Sequence, residues 1–388
     1  MMKTMGALLL TSSLFAGGGS TPAEAKVSNF KFDFGDGPVE KGYIVVSASD
    51  GYSAEKGYGF ATPEHMRNVP AKGTGVGADA VQFLQFGTKS MNTFNVDLPN
   101  GLYEVTVTLG DTARASVAAE GVFQIINMTG NGAVDKFQIP ITDGQLNLLV
   151  TEGKAGTNFT LSALEIDKLS HHAVTNRTIY IGGDSTVANY YPLAASIQGG
   201  WGQMLEQFVD PKEFVVRNMA SGGQIARGFR NDGQLEAILK YIKPGDYFIL
   251  QLGINDTNPK NNTTEAEFKE IMRDMVRQVK ATGATVVLST PQGRATDFNA
   301  EQQHSSENRW YRHSIVGLAQ EEQVPLVDLN VISSAYFTSI GPDETRSLYM
   351  TGDSLHPNRA GAIELARLVY EELKRQGMDG FVEKKEKE

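Results

Sequence analysis

The side-chain rhythm of this chain changes once, near Leu169, and that single change constrains the fold more than any other feature. From Val27 to about Lys168, apolar and polar residues alternate. Phe94-Asn95-Val96-Asp97-Leu98 is followed by the turn residues Pro99-Asn100-Gly101, and Tyr103 to Leu109 alternates again before Gly110-Asp111. Runs of similar length recur at 121–126, 137–141, 146–150 and 159–166. A period of two with glycine-rich turns predicts short strands stacked as an antiparallel β-sandwich.

After Leu169 short apolar strands alternate with helical stretches. Strands are predicted at 178–182, 214–218, 246–252, 285–290 and 325–329, and helices at 234–242, 264–282, 306–323 and 360–375. Within the second helix, Phe268, Ile271, Met272, Met275, Val276 and Val279 recur at helical spacing and form its packing face. Such alternation implies a parallel sheet covered on both sides. At 388 residues the chain is also too long for one ordinary core. The expected organisation is a signal segment at 1–25, a sandwich at 26–169, a linker at 170–176, an α/β/α domain at 177–378 and a charged tail at 379–388. His171 and His172 fall in the linker, where adjacent histidines are more often bystanders than metal ligands.

Lys3, the apolar run from Met5 to Phe15 and the small residues around Ala23-Glu24-Ala25 read as an export signal cleaved before Lys26. That places the product outside the cell, or in the periplasm of a double-membrane bacterium. The apolar run is too short for a permanent span, so no stable membrane insertion is expected. The sequence has no cysteine, which excludes disulfides, thiol nucleophiles, thiolate metal sites and a lipidated N-terminal cysteine. A net charge of −10 without a basic run argues against nucleic acid as a partner. The run 383–388 alternates in sign and reads as a solvated tail.

In open parallel sheets ligands bind beyond the carboxyl ends of the strands, and four polar clusters of the second half fall there. Gly182-Gly183-Asp184-Ser185-Thr186-Val187 follows the first strand and presents the Ser185 hydroxyl beside unpaired backbone N–H groups; a plain helix cap is the alternative. Asn218-Met219-Ala220-Ser221-Gly222-Gly223 allows close backbone approach, or is only a turn. In Gly253-Ile254-Asn255-Asp256 the Asn255 amide can face a developing oxyanion, or close an Asx-turn. In Asp353-Ser354-Leu355-His356-Pro357-Asn358 the three-residue spacing lets a carboxylate orient an imidazole on one face of a helical turn; an exposed loop is the alternative.

Taken in order, these blocks resemble the four-block signature of the SGNH (GDSL) hydrolases over about 178–377. The resemblance implies a three-layer, flavodoxin-like domain with a parallel sheet. It also implies a serine esterase with Ser185, Asp353 and His356 as catalytic triad, and an oxyanion hole from Ser185, Gly223 (ahead of Gly222) and Asn255. No metal or organic cofactor is implied. Gly183-Asp184-Ser185-Thr186-Val187, Gly200-Trp201-Gly202-Gln203 and the run from Asn218 to Arg227 further resemble the rhamnogalacturonan acetylesterases of carbohydrate esterase family 12. Leu355 stands where many of these carry threonine. Lys31-Phe32-Asp33-Phe34-Gly35 and Gly57-Tyr58-Gly59-Phe60 resemble the galactose-binding-like, jelly-roll sandwich of some bacterial members. The implied partner is an acetylated polysaccharide or oligosaccharide. Trp201 is a candidate sugar platform, and Arg227 and Arg294 are candidate anion contacts, each set against core packing or surface ion pairing. Rival readings are a lipase or thioesterase of the same fold, an esterase of acetylated xylan or another glycan, and a carbohydrate-binding protein with an inactive hydrolase domain. The aromatics Tyr52, Tyr58 and Phe60 are expected to pack rather than bind.

Overall fold

The computed structural model describes residues 29–70, 75–84, 92–110, 115–120, 122–128, 132–141, 143–152, 160–169, 177–190, 198–305 and 309–381. The signal segment, the linker with His171 and His172, and the run 383–388 lie outside the described residues.

The first half folds as the alternation requires. Its strands are β1 (Phe30–Phe34), β2 (Ile44–Val46), β3 (Tyr58–Phe60), β4 (Met66–Val69), β5 (Ala80–Phe83), β6 (Phe94–Asp97), β7 (Gly101–Leu109), β8 (Ala115–Ala119), β9 (Val122–Met128), β10 (Val134–Ile141), β11 (Gln145–Glu152) and β12 (Thr160–Lys168). One sheet runs β10-β7-β12-β1-β2, with β5 and β4 joined to it through β12; the other runs β3-β6-β11-β8-β9. Tyr103, Val105, Val107 and Leu109 of β7 point inward and are fully buried, while the residues between them are not. Phe32, Phe34, Phe60 and Phe94 meet between the sheets, with Phe94 4.9–5.1 Å from the other three ring centroids. Each buried ring contributes about 1.5–3 kcal/mol. Phe60 therefore packs, Tyr58 lies 5.0 Å from Phe32, and the Tyr52 hydroxyl donates to Asp97 at 2.9 Å. One pair departs from the antiparallel expectation: β1 and β2 run parallel, Phe32 opposite Ile44.

The second half is an all-parallel sheet of β13 (Arg177–Gly183), β14 (Phe214–Asn218), β15 (Tyr247–Gln251), β16 (Thr285–Ser289) and β17 (Leu326–Val327), in the order β14-β13-β15-β16-β17. Successive residues of each strand feed opposite layers. Ile179, Ile181, Ile249 and Val287 enter one apolar core, and Tyr180, Phe248, Leu250, Val286 and Leu288 enter the other. The helices are α1 (Trp201–Met204), α2 (Ala226–Asn231), α3 (Gln234–Tyr241), α4 (Glu265–Lys280), α5 (Arg312–Glu322), α6 (Leu329–Ser347) and α7 (Arg359–Arg375). The strand order reverses between β13 and β15, so the crevice beyond their carboxyl ends is where such a sheet binds ligands.

Two helical expectations and one boundary shift. α5 starts at Arg312 because Trp310 and Tyr311 adopt left-handed backbone, φ 52° and 58°. The residues 306–308 that the sequence placed in this helix lie outside the described set. α6 went unseen because Gly341-Pro342 reads as a turn; the helix survives as two segments kinked at Gly341, φ 82°. The packed chain also continues past 378: Asp379 pairs with Arg177 at 2.7 Å, and Phe381 is buried against Phe214 and Tyr247.

The two halves touch where α3 ends. Lys240 Nζ donates to the Glu120 carbonyl at 2.7 Å, Arg217 donates to Gln124 at 3.2 Å, and Tyr241 packs against both cores. Lys240 and Tyr241 precede β15, so the contact at the α3 terminus lies at the entry end of that strand, away from its carboxyl end. Among the described residues no helix is long and apolar enough to cross a membrane.

Candidate active site

Each of the four polar clusters sits beyond the carboxyl end of its strand or just before α7. After β13 the chain makes one tight turn, in which Val187 and Ala188 both donate to the Asp184 carbonyl at 3.0 Å. Ser185 stands half-buried on this turn, and its carbonyl accepts the Tyr190 hydroxyl at 2.7 Å. Tyr190 and Gln203 are tied by a pair of hydrogen bonds, Tyr190 N–H to Gln203 Oε1 at 3.2 Å and Gln203 Nε2 to the Tyr190 carbonyl at 3.0 Å. The glycines around Trp201 are required by space. A Cβ on Gly200 would lie 2.3 Å from the backbone of Val187 and Ala188, so only glycine lets α1 close under the serine turn.

Behind that turn runs a buried polar chain. Trp201 Nε1 donates to Gln251 Oε1 at 3.0 Å, Gln251 Nε2 donates to Thr186 Oγ1 at 3.0 Å, and Thr186 donates through both its amide and its hydroxyl to Asp184 Oδ1 at 2.9 Å. Trp201 is thus fully buried and supports the serine from within. The expectation of a sugar platform is corrected: an indole with its N–H used inside the core offers no face to a ligand.

Ser185 Oγ lies 2.9 Å from His356 Nε2, and His356 Nδ1 lies 2.6 Å from Asp353 Oδ2. The carboxylate can only accept at Nδ1, so Nδ1 carries the proton and Nε2 faces the serine hydroxyl as an acceptor. The expected spacing holds, but its cause differs from a helical face. Asp353 closes a loop: its Oδ1 accepts the N–H groups of Leu355 at 2.7 Å and His356 at 3.1 Å, while Met350 N–H donates to the His356 carbonyl at 3.0 Å. Asn358 then caps α7 through the Gly361 N–H. Burial works against charge on Asp353, yet the hydrogen bonds from Leu355, the imidazole and His356 N–H prevail and hold its carboxyl below the usual range.

The niche beside the hydroxyl is lined by amides. Ser221 N–H donates to the Gly183 carbonyl at 3.1 Å, which draws the β14 loop alongside the serine turn. Asn218 fixes that loop by donating to the Val187 carbonyl at 2.7 Å. Gly223 takes φ 77° and is exposed, and a Cβ there would meet nothing within 4 Å, so its glycine serves backbone shape rather than crowding. Among the described residues, neither the Ser185 nor the Gly223 N–H is used in a hydrogen bond. Asn255 is half-buried, and its Nδ2 donates one hydrogen to the Gln224 carbonyl at 3.1 Å. The side chain therefore does not close an Asx-turn; its amide is anchored next to Gly223 with the second hydrogen available.

Two carboxyls flank this niche from below. Asp184 is fully buried, and burial pushes it up to about 6 against the hydrogen bonds from Thr186. Asp256 is also buried and is likewise pushed up to about 6 by burial, opposed by backbone N–H groups that include Ala226 at the start of α2.

The two arginines part ways. Arg227 is ion-paired with Glu267 at 2.5 Å. Arg294 lies in the loop after β16, with its guanidinium 5.6 Å from the Trp310 ring. That loop abuts the histidine segment, because Ala295 N–H donates to the Ser354 carbonyl at 2.9 Å and Gln292 Nε2 donates to the Leu355 carbonyl at 3.2 Å. Tyr190, Gln203, Thr186, Gln251 and Trp310 were not singled out as functional from sequence. The polar Gln251 ending the apolar run Tyr247-Phe248-Ile249-Leu250 was the one available signal.

Comparison with known proteins agrees with both halves. Residues 30–167 match the β-agarase/YXIM esterase-like, galactose-binding domain-like family, and residues 182–362 match the GDSL-like lipase/acylhydrolase family. The esterase YxiM of Bacillus subtilis (strain 168) is 72% identical over 98% of this chain and 100% of its own length. A crystal structure of the B. subtilis YxiM protein superposes with a TM-score of 0.88 at 75% identity, covering 91% of this chain and 99% of that one. The rhamnogalacturonan acetylesterase RhgT of B. subtilis (strain 168) is 30% identical over 52% of this chain and 90% of its own. The chain therefore belongs to the GDSL-like lipase/acylhydrolase family and is an esterase whose hydrolase domain follows a galactose-binding-like sandwich.

Proposed function

We propose that this esterase is exported and removes acetyl groups from plant cell-wall polysaccharide, with acetylated rhamnogalacturonan as its substrate. The observation that carries the reading is the hydroxyl–imidazole–carboxylate relay of Ser185, His356 and Asp353, at 2.9 and 2.6 Å, opening beside the amides of Gly223 and Asn255. The likeness of its hydrolase half to a rhamnogalacturonan acetylesterase supports the choice of glycan.

In this reading His356 Nε2 takes the Ser185 proton as Oγ attacks the acetyl carbonyl. The oxyanion is received by the N–H groups of Ser185 and Gly223 and by the Asn255 amide. His356 then protonates the leaving sugar oxygen, and water repeats the sequence to free acetate and Ser185. Asp353 holds the tautomer and stabilises the imidazolium. The polar chain from Trp201 to Asp184 keeps the turn that carries Ser185 from relaxing.

The test is acetate release from acetylated rhamnogalacturonan, acetylated xylan and long-chain p-nitrophenyl esters. The reading expects the highest kcat/KM on the first. Preference for long acyl chains would make the chain a lipase or thioesterase instead, and turnover of xylan alone would move the glycan. Export is tested by the N-terminus of the secreted product, expected at Lys26.

A further inference from the structure

Arg294 precedes Ala295, which is hydrogen-bonded to the histidine loop, and among the described residues no carboxylate pairs with its guanidinium. Its Nε is buried without an acceptor, and among the described residues its guanidinium forms no ion pair. The nearest acid does not serve it. Asp297 pairs with Arg309 at 3.0 Å and receives only the backbone N–H of Arg294, at 3.3 Å. Among the described residues, the Asp297 carboxylate is thus taken by the Arg309 side chain, and the Arg294 guanidinium is left without an acidic partner.

The segment is also rigid. The Arg294 carbonyl is hydrogen-bonded to His304 Nε2 at 2.6 Å, and His304 Nδ1 to Ser334 Oγ at 2.9 Å. Gly293 donates to Ser333 at 3.0 Å and accepts the Tyr349 hydroxyl at 2.5 Å; a Cβ on it would lie 2.4 Å from the His304 ring. The guanidinium carbon lies over the Trp310 ring, 5.6 Å from its centroid, and the Trp310 carbonyl lies where a Cβ on Gly253 would meet it at 2.3 Å. Arg294 is therefore fixed between the loop of His356 and the strand end that leads to Asn255.

A half-buried guanidinium that no described acid pairs with, beside an ester-cleaving centre, is unfavourable unless an anion arrives to share it. We propose that Arg294 is the specificity-determining contact for a carboxylate-bearing sugar, a uronate next to the acylated residue, held by charge-assisted hydrogen bonds from the guanidinium. The inference rests on the glycan-esterase reading and adds to it the residue that holds a uronate of that glycan. Arg227, closed by Glu267, is assigned no such part.

The test uses the full chain with Ser185→Ala, so that no turnover intervenes, and measures calorimetric binding of a galacturonate trimer and of a neutral galactose trimer. Arg294→Gln should weaken the acidic trimer about ten- to a hundredfold and leave the neutral one within about twofold. Arg294→Lys should restore part of the loss, and added salt should weaken the acidic trimer alone. Equal weakening of both trimers, no weakening of either, or no binding of the acidic trimer at millimolar concentration overturns the proposal. Urea denaturation of the Arg294→Gln chain separates a folding defect from lost recognition. Acetate release by the active chain is scored apart: failure on every acetylated glycan sinks the glycan-esterase reading, while the binding contrast alone decides the role of Arg294.

Discussion

Asp353→Asn is the substitution for which the structure gives the sharpest expectation. Two backbone N–H groups, of Leu355 and His356, converge on Oδ1 at 2.7 and 3.1 Å, so an asparagine must place its carbonyl there. Its NH2 then takes the position of Oδ2, 2.6 Å from His356 Nδ1, and faces that nitrogen as a donor. The imidazole can satisfy it only by moving its proton to Nε2, which points at Ser185 and can no longer accept from it. Loss of the carboxylate in a comparable serine triad lowers turnover by about 10⁴, equivalent to about 5 kcal/mol of transition-state stabilisation. The Asp353 side chain is 38% exposed, so water can partly replace it, and a loss of about 10³–10⁴ is expected here. Because both turn hydrogen bonds survive, stability should change by less than about 1 kcal/mol. Turnover of p-nitrophenyl acetate alongside urea denaturation measures both. A folded variant within tenfold of the parent would refute the tautomer argument.

Other expectations follow from single contacts. Asn255→Ala removes the side-chain donor proposed to receive the oxyanion and should cost about 10²–10³ in kcat with little effect on unfolding; a loss carried by KM alone would place Asn255 in binding instead. Asp184 is raised from 3.8 to about 6, which corresponds to about 3 kcal/mol against folding when it is charged. Above about pH 6 that penalty is complete, because the carboxyl is ionised whether the chain is folded or not. As pH falls through 6 the folded carboxyl takes a proton first, and the penalty is gone below 3.8. The stability difference between the parent and Asp184→Asn, read from urea curves, should therefore shift in the parent's favour by up to about 3 kcal/mol between pH 8 and pH 4. A pH-independent difference would mean that Asp184 keeps its ordinary affinity for protons.

Much of this was legible in the sequence because backbone periodicity and motif order are local properties. The alternation of β7 and the apolar face of α4 both appear where the pattern put them. Ser185, His356 and Asp353 come together because the turn that leaves β13 meets the single loop between α6 and α7 that carries both Asp353 and His356. What was not legible depends on tertiary surroundings. Trp201 after two glycines reads equally as platform or core, and only the packing of Gly200 on Val187 and Ala188 decides it. The Asp353–His356 spacing fits a helical turn and a carboxylate-closed loop alike, and the choice rests on backbone donors that sequence does not reveal. Arg227 and Arg294 are chemically the same residue; a carboxylate from α4 neutralises one, and Arg309 withholds Asp297 from the other. The helix α6 was hidden by Gly341-Pro342, a breaker pair that the fold absorbs as a kink.

The most direct test of the catalytic assignment is covalent trapping. A fluorophosphonate should modify the intact chain once, on the peptide carrying Ser185, as read by mass spectrometry. The adduct should vanish in Ser185→Ala and form orders of magnitude more slowly in His356→Ala. Labelling at another residue, or equally fast labelling without His356, would contradict the account.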